Sequence, residues 1–237
     1  MKQNKKQLTS VMVLLGAVLL ALRLRLYIVA VDEKNLLLSD HWLSGVIWAV
    51  AGLTLVYGVI CALGTREMGC LAVTGPVAAL GDGLFALTMV LSLLAMGSPE
   101  TPMEKACAVF GWLCVPALLY GAVCRAKGKP VYFGCFCVIC AFFALYLVGT
   151  YRSWSASPQL QDYVFSMAAL VGVTLFAYQN AALAVGIGSY RVWLASAMVT
   201  IAFGLAAVYG GSPMLLYFGP AVWTLTGLLG EERTEEL

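Results

Sequence analysis

The chain alternates between long apolar stretches and short polar breaks. Eight apolar stretches fall near residues 8–31, 43–63, 70–96, 106–124, 131–151, 161–186, 191–210 and 213–230. Each runs roughly 16 to 27 residues, about what a helix needs to cross a hydrocarbon layer of about 30 Å. Inside hydrocarbon every backbone N–H and C=O must find its partner within the protein, which leaves helices or a closed barrel. The stretches are too long and too continuously apolar for barrel strands. The pattern therefore predicts an all-α polytopic transmembrane helical bundle of about eight helices. Residues 1–237 form a single integral membrane domain in this reading, with 231–237 a short acidic cytoplasmic tail.

Composition agrees. The chain is 62% hydrophobic and 11% charged, with a mean hydropathy of +0.90, whereas about a quarter of residues are charged in soluble domains. The net charge of +2 carries less information than where the cations fall. Lys2, Lys5, Lys6, Arg66, Arg125, Lys127, Lys129, Arg191 and Arg233 all lie in breaks on one side, against Lys34, Lys105 and Arg152 on the other. The positive-inside bias then places both termini in the cytoplasm. No basic stripe suited to nucleic acid is present, and the expected surroundings are a lipid bilayer. The basic start followed by Val11 to Leu22 also has the form of a secretory signal. However, no small-x-small cleavage site precedes Arg23 and apolar residues resume beyond it, so a retained first span is expected. Six cysteines (Cys61, Cys70, Cys124, Cys135, Cys137, Cys140) fall toward cytoplasmic ends and are expected to stay reduced. Trp42, Tyr151, Trp154, Tyr190 and Trp193 fall at span ends, where amphipathic rings favour the headgroup level.

An internal duplication is suggested by paired features: Tyr27 with Tyr146, Asp40 with Asp162, Tyr57 with Tyr178, Gly97-Ser98-Pro99 with Gly211-Ser212-Pro213, and Pro116-Ala117 with Pro220-Ala221. Halves 1–127 and 128–230 of four spans each would form a parallel repeat.

Asp82 is the sharpest chemical signal. It lies about 18 Å into the third stretch, where a carboxylate must be paired, protonated or beside water. Gly75-Pro76, Gly81 and Gly83 around it predict a third helix broken near mid-membrane. Asp82 as a helix cap or as a structural ion-pair partner is the alternative. Arg23 lies about 22 Å along the first span and is the expected partner of Asp82, while Arg25, two residues on, would snorkel to the outer headgroups. Gln179 and Asn180, next to Tyr178, form a second polar insertion, read either as interhelical hydrogen bonding or as the wall of a solvated cavity. The candidate substrate- or ion-binding residues are thus Asp82, Arg23, Arg25, Gln179 and Asn180. Cys135, Cys137 and Cys140 have metal-site spacing, but cysteines also pack as small hydrophobes and no histidine lies near. No metal or cofactor is expected.

Several absences narrow the function. The lone histidine, His41, is placed in an outer loop, so paired axial ligands for haem are lacking. No lysine lies mid-span to hold a retinal Schiff base, and no nucleophile elbow, HExxH pair or phosphate loop occurs. Ala79-Leu80-Gly81-Asp82 partly resembles the Gly-x-Gly-Asp motif of intramembrane aspartyl proteases, but Ala79 departs from it and a second carboxylate at matching depth is missing. Tyr151-Arg152-Ser153-Trp154, Pro158-Gln159-Leu160-Gln161-Asp162-Tyr163 and Phe176-Ala177-Tyr178 resemble a set of uncharacterised multi-spanning bacterial membrane proteins. That resemblance covers mainly the second half, together with the first span and its arginines. It implies a bacterial inner-membrane location and transfers no catalytic residue.

The reading that follows is a transporter or channel-like protein for a small solute or ion. The alternative is a non-enzymatic membrane sensor or the partner subunit of a membrane complex, with the 152–162 loop as its recognition surface; a homo-oligomer is equally compatible. An enzyme ranks last, because no nucleophile–base pair can be assembled.

Overall fold

A computed structural model describes residues 2–29, 42–65, 72–97, 99–154, 160–208 and 214–233. Asp40, His41, Arg66, Cys70, Ser98, most of the 152–162 loop and Gly211-Ser212-Pro213 fall outside the residues, or the side chains, so described. Eight helices follow one another: α1 (Lys2–Val29), α2 (Trp42–Leu63), α3 (Pro76–Ala95), α4 (Pro102–Ala126), α5 (Phe133–Trp154), α6 (Leu160–Ala184), α7 (Tyr190–Ala207) and α8 (Met214–Leu229). Seven of them, α1 to α7, are long and apolar enough to cross a membrane. The eighth has 16 residues and reaches about 24 Å, short of the hydrocarbon thickness.

The heptad-like spacing on α3 sorts its residues by polarity in the reverse of a soluble protein. Val77, Leu80, Leu84, Leu87, Leu91 and Leu94 form a 3-4-3-4-3 stripe that faces outward. Asp82, Thr88 and Ser92 face inward, among Ala78, Phe85 and Met89. Water would penalise such an exposed leucine ridge, whereas acyl chains would not, so the surface fits contact with a bilayer. Several interior hydroxyls are satisfied within their own helices: Ser92 donates to Thr88 O (2.7 Å), Thr200 to Ser196 O (2.8 Å) and Thr224 to Pro220 O (2.9 Å), the usual arrangement where no water is available.

At the centre lies α7, buried over most of its circumference and in contact with α1, α2, α6 and α8. Gly16 of α1 packs against Ala202, and Gly172 of α6 against Thr200, so absent side chains let backbones approach. Tyr190 and Trp193 belong to this core. Their rings stack at 5.4 Å and Trp193 meets Phe176 at 5.5 Å, so the interfacial role expected for both is corrected: α7 is enclosed by its neighbours and those positions never reach the surface. Trp42 and Tyr151 are exposed.

Two features depart from an uninterrupted all-α bundle. Residues 72–74 and 231–233 form antiparallel strands β1 and β2, pairing Ala72 with Arg233 and Thr74 with Glu231. They sit where α3 begins and α8 ends, a region called the strand end below. The acidic tail is therefore in part a strand. Gly75-Pro76, expected to break a helix in mid-membrane, instead starts one. Gly75 takes a positive φ (107°) that favours glycine and Pro76 occupies the first helical turn, where its missing N–H costs nothing, so α3 runs unbroken to Ala95. The proposed halves also pack unlike one another: α6 and α7 pack closely along their length, while α2 and α3 scarcely meet among the described residues.

Candidate functional site

Asp82 is the seventh residue of α3, so it lies about 9 Å from the helix start, on the strand-end side of the helix's midpoint. Its partner is Arg125, not Arg23. Arg125 Nη1 lies 3.2 Å from Asp82 Oδ1, with the two side chains 3% and 2% exposed. The same oxygen accepts a 2.7 Å hydrogen bond from Trp223 Nε1 on α8. Three helices are thus joined through one carboxylate. Asp82 Oδ2 and Arg125 Nε, both buried, have no hydrogen-bond partner among the described residues. Gly121 leaves room for that second oxygen, since a Cβ there would lie 3.1 Å from it.

The local sequence fixes this geometry. On α4, Cys107, Gly111, Cys114, Leu118, Gly121 and Arg125 are all buried and spaced 4-3-4-3-4, so Arg125 continues the face that packs on the bundle. Its backbone carbonyl accepts from Gly75 N and Gly128 N, both at 3.1 Å, which ties the α4 terminus to the β1–α3 turn. Phe136 lies under the guanidinium at 5.7 Å. Trp223 in turn packs against Phe85 (5.3 Å) and edge-on to Phe176 (5.0 Å). Aromatic rings thus shield the pair, which strengthens its attraction and raises the cost of leaving either charge alone.

Arg23 is also buried, but at the opposite end of the bundle, where Nη1 donates to Ala206 O of α7 (2.6 Å) and the guanidinium sits 4.7 Å above Phe165. The expected Arg23–Asp82 pair is corrected for a simple reason: α1 packs on α2, α7 and α8, while Asp82 faces α4 and α8. Arg25 faces outward, as its two-residue offset requires. Gln179 accepts from Ser189 N (3.0 Å) and so closes the α6–α7 turn. Asn180 donates to Phe176 O (2.7 Å). Tyr178 is exposed.

Asn180 and Arg125 meet at a cavity of about 380 Å³ at the strand end, between the ends of α4 and α6 and the start of α5, walled also by Tyr120, Tyr132, Phe133 and Phe136. Of the candidate residues, this cavity brings in Asn180 and, through Arg125, Asp82; Arg23, Arg25 and Gln179 stand apart from it. Cys137 is exposed while Cys135 and Cys140 are half-buried; among the described residues no cluster of His, Cys, Asp or Glu is arranged to hold a metal.

Comparison with family models, with curated proteins and with solved structures finds no match.

Proposed function

We propose that this is a multi-pass membrane protein that binds and moves a small solute or ion at the strand end, with the Asp82–Arg125 pair as its charged element. One observation carries the reading: a buried ion pair with unused hydrogen-bonding capacity stands at the wall of a cavity of ligand size. Ionisable groups within membrane segments are costly and tend to mark pathways. Exchange of Arg125 between Asp82 and a bound solute would supply two arrangements of one site, which translocation needs. The cation distribution supports a cytoplasmic strand end, and the start of α1 lies beside the end of α8, with Thr9 and Ser10 near Leu229, which favours both termini in the cytoplasm of a bacterial cell.

A second reading has its own support. The carboxylate joins α3, α4 and α8, as a lock in a non-transporting sensor or partner subunit would. Proteoliposomes separate the two. Wild-type protein reconstituted alone is expected to take up at least one member of a labelled panel of organic acids, amino acids and inorganic ions. Asp82→Asn, inserted to the same level, should lose that uptake, because Arg125 no longer has a site to return to. Uptake of no panel member, or equal uptake by both proteins, would sink the transport reading.

A further inference from the structure

We infer that the strand-end cavity takes an amphipathic anion, with a carboxylate or phosphate head at Arg125 and an apolar body between the rings. This rests on the solute-binding reading above and fixes the chemical class of the solute.

The ion pair is lopsided toward the cavity. Arg125 lines it and Asp82 does not. The carboxylate is held away from it, with one oxygen on Trp223 Nε1 and Arg125 and the other against Gly121. A molecule in the cavity therefore lies beside the cationic member of the pair and not the carboxylate, and a planar guanidinium with an unfilled Nε donor is suited to a carboxylate or phosphate oxygen. Arg125 Nε is buried without a partner among the described residues, and such a donor is costly to leave unfilled.

The remaining walls specify the body. Tyr120, Tyr132, Phe133 and Phe136 contribute aromatic rings, with Tyr132 and Phe133 4.6 Å apart and tilted at 50°. Asn180 adds one uncharged polar group. A strongly hydrated inorganic ion would gain little from those rings; a flat or short-chain acid gains burial on each. The same head-and-tail chemistry belongs to free organic acids and to anionic lipids.

Full-length protein is melted in neutral detergent with benzoate, hexanoate or benzylamine, and in phosphatidylcholine nanodiscs with or without phosphatidylglycerol. Saturating benzoate or hexanoate is expected to raise Tm by about 5 °C or more, and isosteric benzylamine to leave it unchanged. Ala184→Phe, which fills the cavity from an exposed position at the end of α6, should abolish the shift. Tyr132→Ala, also at an exposed position, should weaken benzoate binding about tenfold. Stabilisation by phosphatidylglycerol alone, lost in Ala184→Phe, assigns the anion to lipid and supports the inference. Stabilisation by benzylamine but by no anion overturns it while leaving the solute reading standing. An anion shift that survives both variants, or none from any probe, overturns it too, and the absence of every shift removes support from both.

Discussion

Close approach in this bundle is decided glycine by glycine, and α3 carries its own control. A Cβ on Gly81 would overlap the Thr226 side chain of α8, whereas at Gly83, two residues on, nothing lies within 4 Å. Alanine favours a helix over glycine by roughly 0.5–1 kcal/mol at either position, but overpacking costs about 1–3 kcal/mol. Gly83→Ala is therefore expected to leave the melting temperature unchanged or raised, and Gly81→Ala to lower it by several degrees; equal responses would mean that α3 and α8 are not in this register. The same scale shows why Asp82 was legible and its partner was not. A lone carboxylate in an apolar run stands out by composition. Arg125 precedes Lys127 and Lys129 and reads as part of a basic loop, although its 4-3-4-3-4 spacing from Cys107 was visible in the chain. Arg23 could be recognised as buried, but it donates to a backbone carbonyl, a contact to which side-chain pairing rules are blind.

Helices were legible because hydrophobic length and the demand for internal hydrogen bonding leave few alternatives. Their starts were harder to place. Gly-Pro reads as a break inside a long apolar run, yet Ala72–Thr74 is a strand, and its pairing with residues 231–233 joins segments that no local pattern connects. Which face of α3 turns outward follows from its leucine stripe. Leu84, half exposed on that stripe, should not tolerate a charge. Leu84→Lys is expected to cost about 2.5–3.5 kcal/mol of insertion free energy and so to reduce the membrane-integrated fraction, while Lys127→Leu, in the turn after α4, should leave integration unchanged. Normal integration of Leu84→Lys would show that the stripe does not face hydrocarbon.

Across the molecule, polar side chains are enclosed within an apolar surface, and two arginines buried among the described residues serve opposite ends: Arg23 toward Ala206 and Arg125 toward Asp82. The bundle thus depends on charges that are affordable only in company. Removing one member of a buried pair leaves the other uncompensated and costs about 3–5 kcal/mol, whereas removing both is often close to neutral. The most direct test is a double-mutant cycle of Asp82→Asn and Arg125→Gln, read by thermal unfolding in one detergent. Each single substitution should lower Tm sharply and the double variant should recover most of the loss. Additive losses would contradict the pairing on which the site is built.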